Sequence, residues 1–185
     1  MNEIINTYDL DNLETVIPMD RKEFYKEQKE IFKKTWKSTK CVEGVAIFIF
    51  NENWELILQR RSSKKLSNPR KIDKSVWWHL KYWYSSNFTA QIETLEELWI
   101  PSIILEKGEN FDEKFLSLKK YLTKTSLIQH IYTKIRKVYK KFENEEIKIA
   151  YKTNLYVWIY SWSIKNIDWE VDWIFFEHLL GGFFQ

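Results

Sequence analysis

Apolar and polar positions along this chain follow two rhythms. From Cys41 to Phe50 they first alternate and then run continuously apolar, as a buried strand does. Leu56–Gln59 repeats that pattern in short form and reads as its hairpin partner. A helical rhythm takes over after Pro18-Met19-Asp20, where Phe24 and Phe32, with Tyr25 and Ile31 beside them, make one apolar stripe. Asp20 is the expected N-cap, Glu23 three residues later completes a capping box, and the helix ends near Thr35-Trp36. Residues 1–17, polar with scattered aliphatics, read as a strand or an extended arm. Ser62–Pro69 is a basic loop, followed by a short strand around Ser75–Leu80. Ser85 or Ser86 is placed to cap a helix running to about Leu98.

Ile100–Leu105 reads as another strand. Phe111–Leu122 and Ser126–Lys141 read as two helices, the second with Ile128, Ile131, Ile135 and Val138 on one face. Lys148–Tyr160 is a long strand, and Ile174–Leu180 begins a last short helix or strand. Alternating strands and helices predict an α/β or α+β class with a mixed sheet. No internal repeat, linker or low-complexity segment interrupts them. The expected organisation is a single domain over 1–185, with an N-terminal arm and helix over 1–40 and a helical insertion over 108–147.

Composition narrows the class. With 44% hydrophobic and 30% charged residues, the chain has the balance of a soluble globular protein with a real core. No apolar run approaches the roughly 20 residues that span a bilayer, so no membrane partner is expected. Met1-Asn2-Glu3-Ile4 lacks the basic and then apolar order of a secretory signal, and the expected location is cytoplasmic. Cys41 is the one cysteine, which excludes an intrachain disulfide and a cysteine metal cage. A net charge of +3 is too small to argue for nucleic acid by itself. The basic residues from Lys114 to Lys141 form a solvated face or an RNA-contacting patch, and the solvated face is the reading preferred here.

One feature of the composition is abnormal: there are 10 Trp and only 4 Gly. If the tryptophans were glycines, glycine would return to its ordinary share of roughly 7%. Their positions sharpen the point. Trp54 sits in Asn51-Glu52-Asn53-Trp54-Glu55 between two apolar runs, where a hairpin favours Asn-Gly. Trp99 follows the periodic segment ending at Leu98 and precedes Ile100-Pro101, the place of a helix-terminating glycine. Trp162 and Trp169 fall in or beside the polar stretch Ser161–Asp168. A UGA codon read as glycine in the cell but written as tryptophan would produce this pattern. A naturally Trp-rich surface or cleft is the alternative.

The strongest chemical signal is carried by Glu93, Glu96 and Glu97. Spaced i, i+3 and i+4, they put three carboxylates on one helical face. Like charges stacked this way repel unless a cation offsets them, and hard cations such as Mg²⁺ take carboxylate oxygens together with substrate phosphates. Spacing alone does not separate this from a solvated acidic face.

The surroundings add to it. With Trp read as Gly, Ser75-Val76-Trp77-Trp78-His79-Leu80-Lys81-Tyr82-Trp83-Tyr84-Ser85 becomes a glycine-rich loop, followed by Glu93-Thr94-Leu95-Glu96-Glu97-Leu98-Trp99-Ile100. The stretch from Trp78 to Ile100 resembles the Nudix box, with Trp78 and Trp99 at its glycines and Glu93, Glu96 and Glu97 at its metal-binding glutamates. Phe48–Asn51 and Glu55–Ser62 are similar to the strand pair that opens such domains, and Asn68-Pro69 and Asp73 resemble the isopentenyl diphosphate isomerase-like subgroup.

The resemblance implies a Nudix-type α/β/α sandwich around a mixed sheet, and a Mg²⁺- or Mn²⁺-dependent hydrolase acting on a small-molecule diphosphate. It further implies Glu93, Glu96, Glu97 and Glu170 in catalysis, the first three as metal ligands. Arg60, Arg61, Lys64 and His79 would hold substrate; Lys65 lies beside them. For the basic residues a solvated loop stays open, and for Glu170 a surface turn does. Departures are Tyr84 at the first glutamate of the box, Ile92 at its arginine and Thr94 at an aliphatic position. Isomerase activity, the alternative, would call for a histidine near Val42 and a cysteine at about Trp77, and the chain has neither. A non-catalytic binding module of the same fold is the other alternative.

Overall fold

The computed structural model describes residues 3–50, 55–64, 69–73, 75–98, 101–118, 125–142, 145–159 and 171–178, without the side chains of 97, 98, 142, 159 and 171–178. The chain opens with a hairpin, β1 (Ile4–Asp9) and β2 (Asn12–Asp20), so Pro18 lies in a strand and the first helix, α1, spans Arg21–Thr35. Asp20 caps it as expected, its carboxylate accepting from the backbone N–H groups of Lys22 and Glu23 at 2.9 and 3.1 Å.

Then come β3 (Lys40–Phe50), β4 (Glu55–Arg61), β5 (Ile72–Asp73) and β6 (Val76–His79). They are followed by α2 (Ser86–Leu98), β7 (Ser102–Leu105) and α3 (Phe111–Leu118). Three strands follow among the described residues: β8 (Ser126–Phe142), β9 (Glu145–Ile159) and β10 (Val171–His178).

β3 is the axis of one mixed sheet. Its apolar run carries so many β-formers because both of its faces are covered. It pairs antiparallel with β1, β4 and β6, and parallel with β9 from Cys41↔Ala150 to Phe50↔Ile159. Alternation sends Val45, Ile47 and Ile49 to one face, where they pack with Tyr156, Trp158, Ile128 and Ala90 of α2. Val42 points the other way, into a cluster with Ile147, Ile149, Tyr151 and the α1 residues Phe24 and Phe32. The sheet therefore lies between α1 and α2, giving the α/β class with a mixed sheet. Lys29 and Lys33 tie α1 to the start of β9 through Glu145, at 2.6 and 2.7 Å. Among the described residues no helix is long and apolar enough to cross a membrane.

One expected element is overturned. Ser126–Lys141 is not a helix but β8, antiparallel to β9 and parallel to β7. A register shift between His130 and Tyr132 explains the misleading spacing. Ile128 and Ile135 are seven residues apart and would face opposite sides of a regular strand. The extra residue puts both on one side, opposite Trp158 and Lys152. The expected helical insertion over 108–147 thus contributes α3 as its one helix among the described residues, and residues 119–124 lie outside them. Ile174–Leu180, expected as helix or strand, is strand over its described part. The Trp54 turn, Trp99, Trp162 and Trp169 also lie outside the described residues.

Candidate active site

The acidic segment folds as expected into α2, and its start is capped by Ser85, whose hydroxyl accepts from the Phe88 N–H at 3.1 Å. Asn87 Oδ1 accepts from the Tyr156 hydroxyl at 2.7 Å, fixing the N-terminus against β9. Thr94, buried, donates to the Ala90 carbonyl at 2.8 Å and meets the Ser102 hydroxyl at 2.9 Å. Its hydroxyl thus joins α2 to β7, which an aliphatic residue would not do. Glu93 is 3% exposed, while Glu96 is exposed to solvent. The Glu97 side chain and all of Glu170 lie outside the described residues. Among the described residues no three His, Cys, Asp or Glu side chains converge to hold a metal.

The expected substrate residues are spread over two strands and a turn. Arg60 is half-buried on β4, and Arg61 at the strand's end pairs with Asp73 of β5 at 3.1 Å. Lys64 is exposed in the turn after β4, its N–H bonded to the Ser62 hydroxyl at 3.2 Å. Lys65 and Asn68 lie outside the described residues. His79 is 5% exposed and faces α1, on the side of the sheet opposite α2. There the Tyr25 hydroxyl stands 2.8 Å from His79 Nε2 and 3.1 Å from the Tyr151 hydroxyl, with Lys140 Nζ at 3.4 and 3.5 Å from the two phenols. Burial pushes the Tyr25 phenol up to about 12.

A second polar cluster surrounds Glu43 on the α2 side of the sheet. Its carboxylate accepts from the Tyr8 hydroxyl at 2.5 Å and from Asn154 Nδ2 at 3.1 Å, with Lys152 Nζ at 3.6 Å. Lys152 also stands 3.8 Å over the Tyr8 ring. The neighbouring Cys41 thiol is buried and pushed up to about 11 by that burial, against the pull of Lys152, so it is held as the unreactive thiol. The only sequence sign of this network was a glutamate inside an apolar run. The Tyr25–His79–Tyr151–Lys140 group gave only the single histidine, since its members lie on four different elements.

The tryptophans sort by backbone. Among the described residues three non-glycines have positive φ: Trp36 (57°), Arg70 (61°) and Trp83 (83°). Trp36 is the left-handed C-cap of α1, its N–H bonded to the Phe32 carbonyl at 2.8 Å. Trp83 sits third in a turn closed by Tyr84 N–H to Lys81 C=O at 3.0 Å. With positive φ at that position alone, this is a type II turn, the one that asks for glycine there. These two indoles are 77% and 85% exposed. Trp78, at the first glycine of the box pattern, buries its indole N–H without a hydrogen-bond partner. Trp158 is a fully buried core residue on β9.

No family model matches the sequence, and no curated protein matches it. Solved structures align at low identity. A protein of Deinococcus radiodurans is 15% identical over 74% of this chain and 66% of its own, just under two thirds, with a TM-score of 0.46. The MutT protein from Methanosarcina mazei Go1 is 16% identical over 75% and 78%, with a TM-score of 0.47. The E. coli dihydroneopterin triphosphate pyrophosphohydrolase is 8% identical over 73% and 79%, with a TM-score of 0.47.

Proposed function

We propose that this chain is a Nudix-type, Mg²⁺- or Mn²⁺-dependent hydrolase that cleaves a diphosphate linkage in a nucleoside diphosphate-linked or similar small substrate. The observation that carries the reading is the strand–turn–helix–strand order of β6, α2 and β7, with Glu93, Glu96 and Glu97 on α2 in the spacing of the family box. The donor set is all carboxylate oxygen, the chemistry a hard divalent cation takes. Glu93, Glu96 and Glu97 would hold the cation, which supplies charge neutralisation at the phosphates and an acidified water. Arg60, Arg61 and Lys64 bind the phosphate oxygens in this reading, while His79, buried on the α1 face, lies away from the α2 carboxylates. Glu170, or a glutamate of the helix, takes the proton of the attacking water. Changing Glu97→Gln is expected to abolish metal-dependent release of monophosphate from a panel of nucleoside diphosphate compounds. Retained turnover would overturn the site.

A non-catalytic binding module is the second reading, favoured by the buried setting of Glu93 and by Tyr84 and Ile92 in the box. Calorimetric titration of the same compounds with Mg²⁺ separates the two, since a module binds without turnover. The decoding of the tryptophans belongs to the same reading. Left-handed backbone at Trp36 and Trp83 supports glycine in the protein that the cell makes, and Trp78 stands at a glycine of the box pattern. The gene is expected to carry UGA at codons 36, 78 and 83, and UGG at codon 158. UGG at all four sinks the decoding idea.

A further inference from the structure

We propose that the α2-side face of the β8–β9 hairpin is a binding surface for single-stranded nucleic acid. Lys137, Lys141 and Lys148 contact phosphates there, and Tyr139 stacks on a base. The surface uses no residue of the acidic helix, and residues 126–157 contain no Trp. It therefore depends on neither the hydrolase reading nor the decoding of tryptophan.

Because Ser126–Lys141 is strand and not helix, its basic residues alternate between two faces. Opposite β9, Lys137 stands across from Ala150, Tyr139 from Lys148 and Lys141 from Glu146. Ala150 and Lys148 are an even number of residues from Trp158, which packs with α2, so these side chains share the α2 side of the sheet. Lys140 falls on the other side, where it meets the Tyr25 and Tyr151 hydroxyls. The helix α2 itself packs on β3, β6 and β7. Lys137, Tyr139 and Lys141 stand in solvent, Tyr139 at 61% exposure.

Lys137 and Lys141 have no ion-pair partner among the described residues. The Lys148 ammonium lies 5.2 Å over the Tyr139 ring, which holds a cation and an aromatic face together. Farther along the same face Lys152 stands over Tyr8 in the same way, but Glu43 already engages it. Along β8, Lys137, Tyr139 and Lys141 follow one another at steps of about 6.8 Å, in the order cation, ring, cation. That order suits an extended phosphate chain whose bases are free to stack. A polypeptide strand is the other extended occupant to weigh. β7 pairs with β8 as far as Gln129, which leaves an open edge beyond it among the described residues. Lysines along such an edge oppose strand addition, and a run of Asp and Glu offers no ring to Tyr139.

The test is fluorescence anisotropy of a labelled oligouridylate of about twelve nucleotides, titrated with the full chain without divalent metal over a series of salt concentrations. Affinity is expected to fall as salt rises. The double variant Lys137→Gln/Lys141→Gln should bind about tenfold more weakly, with a salt slope smaller by about 0.7 for each lysine removed. Tyr139→Leu should weaken binding about fivefold or more and leave the slope unchanged, as loss of stacking does. Lys22→Gln/Lys26→Gln, on the exposed side of α1, removes the same charge elsewhere and should change affinity little. Circular dichroism checks that each variant is folded. No binding by the unaltered chain overturns the surface, as do equal losses from the two double variants. A duplex of the same length binding as tightly overturns the stacking role of Tyr139. Equal binding of a polyglutamate peptide replaces nucleic acid with an acidic protein partner.

Discussion

Trp36 and Trp83 combine a backbone suited to glycine with side chains that stand in solvent. Left-handed geometry costs a residue with a Cβ roughly 1–2 kcal/mol, partly offset in a glycine variant by the freer unfolded chain. Trp36→Gly and Trp83→Gly are each expected to raise stability by about 0.5–1 kcal/mol in urea unfolding. Trp158→Gly is expected to lower it by about 3–5 kcal/mol, because that indole fills the core under α2. Equal effects at all three would mean that backbone geometry does not sort the tryptophans. The excess of Trp over Gly was legible in the sequence. Which of these tryptophans sit at strained positions was not, since φ is a property of the folded chain.

At the scale of elements, α1 and β8 illustrate opposite outcomes. The signals of α1 are local: Asp20 reaches N–H groups two and three residues on, and its apolar stripe needs only helical geometry. Asp20→Ala is expected to cost about 1 kcal/mol, read as a lower unfolding midpoint. β8 is decided by its partner. Ile128 is fully buried opposite Trp158, whereas Val138, expected on the same helical face, is exposed. Ile128→Ala should therefore cost about 2–4 kcal/mol and Val138→Ala less than about 1 kcal/mol. Comparable losses at the two positions would restore the amphipathic helix. The acidic helix shows the same division. Its existence and cap could be read locally, but the burial of Glu93 depends on the folded chain around α2.

Across the whole molecule, burial of weak acids predicts an alkaline limit to stability. Tyr25 and Tyr156 are pushed up to about 12 and Cys41 to about 11, in each case first by burial. The folded chain then holds protons that the unfolded chain has released at its lower, ordinary values near 9 to 10. Stability from these groups is complete below those values and is lost as pH rises through them toward the folded ones. Chemical unfolding followed from about pH 8 to 11 should show a fall that steepens above about pH 9. A flat profile would mean that these hydroxyls and the thiol reach water in the folded state. Replacing Tyr25 by Phe should reduce the slope, and at the same time remove the Tyr25–His79 hydrogen bond.

By itself the sequence determined whatever depends on neighbours a few residues away: the α1 cap, the buried strand β3, the acidic spacing of α2 and the surplus of tryptophan over glycine. Tertiary structure decided the rest. A β-bulge and a partner strand turned an apparently helical segment into β8. Strand pairing placed His79 on the α1 face, beside Tyr25 and Tyr151. The folded chain buried Glu93 and left Glu96 in solvent. The physical reason is that hydrophobic period and capping act within one turn or one pleat. Faces, register and burial arise only when distant segments compete for the same core.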